Sequence, residues 1–592
     1  MTFNILQNIV MPNLEFGAPD EMYARFENDK VRTSFEEKKL IFKDGGRVSF
    51  DTFFNSLTIG TWKKHTKLND LYLILKGNGK FAIRLGLHRI GHAHKWLQTQ
   101  TIELKEGEQF AIQFQNWPKI ESGMLYFSIE AIGSADFNGG YFATTTKPKH
   151  VVKLGVVITH FNRKSYVLPA IERIKTELLD DPKYKEKIEL VVVDNSQNIT
   201  SEESKGITLI PNKNLGGSGG FTRGLLHLKD CGDFTHCLFM DDDASCEIES
   251  IRRTYALLSY GETDRFAVAG SLLREVEPYL LFEKGACFDG LCRPLKSGLD
   301  MRHISDLLFA ELTDKKPNYG GWWFFSFALV DVEEYAFPFF VRGDDIRFSI
   351  ANKFELCTMN GIGCWGDDFA LKAGPLTLYL DVRNHMVHAI AMLDKSRLFT
   401  LKIALKFVFM QLFSYNYSSA KACRLAMQHV MMGPEFFKNN LDTKVIREEI
   451  AAFSADEKLQ PIDRENYNVV YASFDRSRSR IGFFIRWVSL NGFLLPNFMI
   501  RDDTIFQHKG FRGILREIYG YRRVLYEYEP FGIGYVAEYD RKEFFREVLV
   551  FSVSAIKLLS NFNKLKKDYK NEIPKMTNEQ FWRDVYSNNS EV

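Results

Sequence analysis

Residues 207–230 read ITLIPNKNLGGSGGFTRGLLHLKD, and this stretch decides how the chain is read. An apolar run enters it and a helix-like pattern leaves it, with Gly216, Gly217, Gly219 and Gly220 between. That order argues against a flexible linker. Glycines let backbone amides come close to a ligand, as an anion requires. The spacing is neither GxGxxG nor GxxxxGK[ST], so the dinucleotide-fold and P-loop readings lose support. What the glycines serve has to come from their neighbours.

Those neighbours alternate strand and helix. KLGVVITHFN (153–162) and KIELVVVDNS (187–196) are continuous apolar runs, as strands buried on both faces would be. SYVLPAIERIKTELL (165–179) has helical spacing between them, and THCLFMDDDAS (235–245) is a further strand ending in three aspartates. The alternation predicts a parallel α/β sheet over 151–395, with ligands at the strands' C-terminal ends.

The flanks differ. Residues 1–150 predict a β-sandwich or jelly roll. LYLILKGNGKFAIRLGLHRI (71–90) looks like a hairpin about Gly-Asn-Gly, QTIELKEGEQFAIQFQN (100–116) a second one about Glu106-Gly107, and GMLYFSIEAIG (123–133) another strand. TTTKPKHV (144–151) looks like a linker. Residues 396–592 are mostly helical in spacing. LFTLKIALKFVFMQLF (398–413) and EVLVFSVSAIKLLSNFNKLKKDYKNE (547–572) are either buried bundle helices or a basic amphipathic surface for an anionic membrane.

Bulk composition narrows the classes. The 592 residues are 45% hydrophobic and 26% charged, with net charge +2, which favours neither a nucleic-acid binder nor an acidic tail. Eight cysteines without a CxxC pair suggest a reduced compartment. The first residues lack the basic n-region of a secretory signal, and no stretch of about 18 uncharged apolar residues predicts a spanning helix.

Asp241, Asp242 and Asp243 carry the chemistry. Adjacent carboxylates repel unless a cation or solvent screens them. Asp241 and Asp243, alternate members of the run, would project together and bind Mg²⁺ or Mn²⁺ through hard oxygens, the metal also holding a diphosphate; a solvated acidic turn is the equal alternative.

The order of pieces is more specific. Asn162-Arg163 follows the first strand, Asp194 ends the second, and NKNLGGSGGFTRG and DDD come next. Downstream stand NYGGWWFFSF (318–327), FPFFVRGDDIRFS (337–349), GIGCWGDDFALK (361–372) and YLDVRN (379–384). Together these resemble the GT-A glycosyltransferases of family 2, and more closely bacterial galactofuranosyltransferases of the polymerising mycobacterial type. The motif-bearing match spans about residues 155–390. The resemblance implies a GT-A core (151–395) between an N-terminal β-sandwich/jelly-roll domain (1–150) and a mainly helical C-terminal domain (396–592).

It also implies roles. Arg163 and Asp194 would bind the uridine, Asn214 would be the polar contact beside Gly216 and Gly217, and Asp242 would lie near the nucleotide sugar. Asp241 and Asp243 would hold Mn²⁺ or Mg²⁺. Asp345, paired with Asp344, would be the general base of an inverting transfer, which needs a carboxylate beside the acceptor hydroxyl on the face opposite the departing UDP. Trp322, Trp323 and Glu283 would line the acceptor side. UDP-galactofuranose would be the donor and a glycan, lipid-linked at the inner face of the membrane, the acceptor. Relatives self-associate, so a homo-oligomer is a further implication.

One position departs. The family's metal-ligating histidine follows the tryptophan of a VWH motif; aligning Phe369 and Lys372 puts Gly366 there, leaving Asp367, Asp368 or water to compensate. His385 and His388 lie in an apolar helix and suit the core better. Two rival functions stand: the same fold with another nucleotide sugar, or a non-catalytic carbohydrate-binding subunit.

Overall fold

The computed structural model describes residues 2–472 and 480–587. Its centre is a seven-stranded sheet in the order Thr208–Pro211, Ile188–Asp194, Leu154–His160, His236–Asp241, Phe325–Ala328, Phe266–Ala269, Glu355–Cys357. The first four strands are parallel, as the alternating pattern predicts. Phe325–Ala328 runs antiparallel to both neighbours, a correction to the all-parallel expectation. It follows a loop carrying two tryptophans, and an antiparallel strand needs no crossover helix.

The glycine segment is itself helical: the helix Gly216–Cys231 begins at the first glycine. Its glycines face protein. A Cβ on Gly220 would sit 2.2 Å from Thr159, one on Gly224 2.3 Å from Val157, and one on Gly155 of the strand 2.3 Å from Leu228. The helix therefore lies directly on the strand Leu154–His160, and any side chain at these positions would push the two apart.

The N-terminal domain is a ten-stranded antiparallel sheet folded on itself about two long strands, Tyr72–His88 and Met124–Thr144. Neither expected hairpin forms. Residues 71–90 hold one continuous strand, and Gly77 and Gly79 bend it where its register with Met124–Thr144 shifts between Ile132 and Asp136. A Cβ on Gly77 would lie 2.4 Å from the Asp136 carbonyl oxygen. The turn at Glu106-Gly107 likewise does not reverse the chain: Lys95–Leu104 and Phe110–Gln113 pair with the two halves of Tyr72–His88. Both glycine turns mark the corner at which strands pass between layers. Residues 144–151 are docked, with Lys149 and His150 amides donating to the Ser259 carbonyl. A buried pair ties this domain to the core: Arg253 donates to Glu249 (3.1 Å) and to the Asn8 carbonyl, while Glu249 accepts from the Asn8 amide (2.6 Å).

The C-terminal part is largely helical and also carries a five-stranded sheet, Gln460–Pro461, Ile533–Glu538, Tyr521–Tyr528, Arg501–His508 and Val469–Val470, which helical periodicity did not predict. The helical core takes in Pro375–Val387 from the preceding region. The helix Arg541–Met576 buries one stripe, from Phe544 through Phe551, Leu558 and Phe562 to Tyr569, against it. By length and composition alone this helix would cross a membrane, its best window having mean hydropathy 1.2; lysines inside the window hid it from an uncharged-run criterion. The last described helix, Glu579–Ser587, returns to the core, where Trp582 donates to the Ala336 carbonyl and Tyr586 to that of Gly219 (2.6 Å).

Gly224→Ala drives a methyl into Val157 and is expected to lower stability by about 1–3 kcal/mol. Gly374→Ala, with nothing within 4 Å of its added Cβ, is the neutral control. Midpoints of urea unfolding report both.

Candidate functional site

Four elements converge where the central strands end. His236–Asp241 delivers Asp241–Asp243 and the helix Asp344–Ala351 opens with Asp344 and Asp345. A three-stranded sheet of Leu281–Glu283, Ser271–Arg274 and Gly363–Gly366 brings Glu283 at one edge and Asp367 just past the other. The loop before Asp344 is strained, with positive φ at Phe340 (77°), Arg342 (70°) and Gly343 (86°). Three contacts hold it: the Ser218 amide donates to the Phe340 carbonyl (3.0 Å), Asn384 to that of Val341, and His388 Nε2 bonds the Gly343 carbonyl at 2.9 Å. His388 is thus a support for this loop; His385 sits buried beside Cys292.

The carboxylates are short of counter-charge. Burial and neighbouring Asp243 push Asp241 up to about 8. Burial and Asp344 push Asp345 to about 7, while burial raises Asp344 to about 6 against the hydrogen bond donated by Ser218 Oγ (3.0 Å). Glu283, buried with Oε1 lacking a hydrogen-bond partner, is pushed to about 8 by burial and by Asp345. A carboxyl whose pKa lies near neutrality is suited to accept a proton.

Cations gather on the other side. Asp243 Oδ2 accepts from Arg163 Nη1 (2.5 Å) and Lys372 Nζ (2.6 Å), and the same Arg163 nitrogen reaches Asp367 Oδ2 at 3.0 Å. Burial opposes the charge on Asp243, but Lys372 and Arg163 outweigh it and hold its pKa below the usual carboxylate value. Asp243 and Asp367 therefore converge on one positive nitrogen. Among the described residues no three His, Cys, Asp or Glu side chains meet closely enough to hold an ion as they stand. The donor chemistry nonetheless fits a hard divalent cation: the oxygens of Asp243 and Asp367 already share a cationic partner, and Asp241 lies close enough to feel Asp243. Gly366 offers no ligand, and Asp368 is spent on Arg274 (2.5 Å) and on capping Ala370.

Several expected ligand contacts prove structural. Asp194 is buried, and its two oxygens accept the amides of Ser196, Gln197, Asn198 and Ile199 together with the Ser196 hydroxyl, so it shapes the 195–199 loop and has no oxygen left over for a uridine. Asn214 Oδ1 accepts the Gly216 amide in a local turn just before the glycine helix. Gly216, at φ 67°, faces the Phe340 carbonyl, where a Cβ would be 2.1 Å away; only Gly217 opens toward the site, a Cβ there lying 3.3 Å from Asp344 Oδ2. Asp242 is pinned by the Phe161 amide (3.0 Å) and His160 Nδ1 (3.1 Å). Trp322 packs edge-on among Phe221, Phe239 and Phe348, so it belongs to the core. Trp323, half-buried, meets Phe369 at 6.2 Å; Phe369 stacks on Phe282 (4.7 Å) and lies under Arg342. This wall of Trp323, Phe369 and Phe282 went unread because only the tryptophans stand in a recognisable motif.

The charge on Glu283 gives a stability test. Its folded pKa of about 8 exceeds the ordinary 4.5, so stability is lost as pH rises between those values. Glu283→Gln is expected to raise the urea midpoint near pH 7.5 by the equivalent of about 2 kcal/mol and to leave it unchanged at about pH 4.

Residues 155–272 match the model for glycosyl transferase family 2. Galactofuranosyltransferase GlfT2 of Mycolicibacterium smegmatis is 22% identical over 421 residues, 66% of this chain and 64% of that protein. The Mycobacterium tuberculosis protein of the same name is 22% identical over 480 residues, 74% of each. This chain thus spans just under two thirds of the first relative's length. GalNAc-T7, solved with UDP, GalNAc and Mn²⁺, aligns over 38% of this chain and 45% of its own at 12% identity and TM-score 0.28, too weak a likeness to carry an argument. Residues 155–272 thus carry a family 2 glycosyltransferase domain of the GT-A type, and the chain is similar, at 22% identity, to galactofuranosyltransferases.

Proposed function

We propose that the protein transfers galactofuranose from UDP-galactofuranose to a hydroxyl of a glycan acceptor, with inversion at the anomeric carbon. The observation that carries this reading is the gathering of Asp345, Asp344 and Glu283, within electrostatic reach of one another, with Asp241 and the Asp243–Asp367 pair that shares Arg163, at the end of the central sheet. One side suits a base and a neutral sugar; the other suits a diphosphate.

Asp345 takes the proton of the acceptor hydroxyl as that oxygen attacks the anomeric carbon and the bond to UDP breaks on the opposite face. Glu283, uncharged at neutral pH, donates a hydrogen bond to the acceptor and leaves Asp345 as the carboxylate that accepts the proton. Trp323 and Phe369 give the sugar ring an apolar face. Arg163 and Lys372 swing from Asp243 to the diphosphate and balance its growing charge. Mn²⁺ or Mg²⁺ would be held by Asp241, Asp243 and Asp367 and, when bound, supplies positive charge to the departing diphosphate.

Mass spectrometry of products formed from UDP-galactofuranose and synthetic oligosaccharide acceptors tests the donor: one added hexose per step is expected. Turnover of a different sugar nucleotide, and none of this one, would overturn the assignment. Asp345→Asn is expected to lower kcat by about 10²–10⁴-fold while UDP binding by calorimetry stays near wild type. The wild-type rate falls as pH drops below about 7, where Asp345 gains its proton. Asp344→Asn removes the carboxylate that raises Asp345, so the acid limb moves to lower pH.

A further inference from the structure

The N-terminal domain and the core leave between them a cavity of about 730 Å³ that the transfer reaction does not use. The helix Ile59–His65, the turn after Tyr72–His88 and the start of Met124–Thr144 line it on one side, and residues 284–317 with Leu356 and Thr358 on the other. Its charge is one-sided. Lys64, Arg89, Lys284, Lys296, Lys315 and Lys316 line it, against the single carboxylate of Glu311. That carboxylate is already committed: Lys284 Nζ and the Asn360 amide (2.6 Å) share Oε1, and the Thr61 hydroxyl donates to Oε2 (2.9 Å). Lys296 and Lys316 pair with Asp314 and Glu355, neither of which lines the cavity. Lys64, Arg89 and Lys315 form no ion pair among the described residues. Lys284 is 3% exposed, so one of these charges is built into the wall itself, and Asn360 Oδ1 accepts a second of its N–H groups at 2.7 Å. A cleft with low-dielectric walls and one sign of charge concentrates the opposite ion.

The remaining lining narrows the kind of anion. Thr58, Ser122, Thr313 and Thr358 contribute four hydroxyls that make no hydrogen bond to protein among the described residues. His65, buried in the wall, has an Nδ1 without a partner, and burial together with Lys64 pushes its pKa down to about 4. At neutral pH its ring is uncharged, with one N–H to donate and one lone pair to accept. None of the lining residues is Phe, Tyr or Trp, so a nucleobase has no ring to stack on. A free phosphate would leave most of the volume empty. Hydroxyls, a neutral imidazole and aliphatic side chains such as Ile90, Leu308 and Leu312 suit a molecule that is itself polyhydroxylated. We propose that this cavity binds an anionic saccharide, its carboxylate or phosphate held by Lys64, Arg89 and Lys315 and its hydroxyls by the threonines, Ser122 and His65.

The site is separate from the one where Asp345 lies, and the assignment does not rest on the identity of the transferred sugar. The two nevertheless share a wall. Glu283 lies within electrostatic reach of Asp345, while the next residue, Lys284, lines the cavity. A saccharide bound here is therefore held behind the acceptor side of the candidate site.

Calorimetric titration of the full chain at low salt with trigalacturonate, neutral galactotriose and inorganic phosphate tests the cavity. The acidic trimer is expected to bind at least about ten-fold more tightly than either of the others. Lys64→Ala/Arg89→Ala/Lys315→Ala lowers that affinity by about ten-fold or more, with unchanged melting and unchanged transfer to a neutral acceptor. Should the triple variant melt lower, Lys315→Glu alone, at an exposed position, must show the loss. No binding of the acidic trimer, or wild-type affinity in these variants, overturns the inference. Galactotriose binding as tightly as trigalacturonate overturns the role of charge, and phosphate binding as tightly overturns the saccharide in favour of a free anion.

Discussion

The structure depends on how closely the helix Gly216–Cys231 lies on the strand Leu154–His160. Only hydrogen fits between Gly220 and Thr159, between Gly224 and Val157, and between Gly155 and Leu228. That approach sets the depth of the helix N-terminus. From there Ser218 reaches both the Phe340 carbonyl and Asp344. The strained loop leading to Asp344 and Asp345 is thus hung from the glycine helix, and the candidate site keeps its shape through backbone contacts. The glycines act on the ligand indirectly, by fixing the frame around it.

Around that frame the charges are left unbalanced. Asp241, Asp344, Asp345 and Glu283 all have raised pKa values, while Arg163 and Lys372 crowd one oxygen of Asp243. A protein selected for stability alone would pair or remove such groups. Here they suit a reaction that brings a diphosphate to the cationic side and takes a proton on the carboxylate side. Stability is given up where charge has to develop, which is the usual relation between a rigid fold and a reactive site.

How much the sequence discloses follows from which residues act locally. The alternating apolar strands and the aspartates at their ends are local signals, and a parallel α/β core was legible from them; the GT-A reading came from the resemblance of the motif order. The glycine turns of the N-terminal domain were misread because Gly77 and Gly79 look the same whether they reverse a strand or bend it; the partner strand, some 55 residues on, decides. Asp194 looked like a ligand because strand ends often bind ligands, whereas its oxygens serve the four residues from Ser196 to Ile199. Phe282, Phe369, Asp367 and Lys372 become one site only through a small sheet whose strands are far apart in sequence. The C-terminal sheet had a local signal, YRRVLYEY and IGYVAE about Gly532, that the long helices around it outweighed.

The helix Glu579–Ser587 has a consequence for how the molecule comes into being. Tyr586 closes onto Gly219 across 367 residues of chain, and Trp582 seals the core beside the segment that leads to Asp344. During synthesis the central strands emerge early, yet their outer wall arrives hundreds of residues later. Until then the glycine helix has one uncovered flank, and the high contact order of that closure makes it a late event. The nascent chain therefore passes most of its time on the ribosome without a finished site, and competence comes to the whole molecule at once.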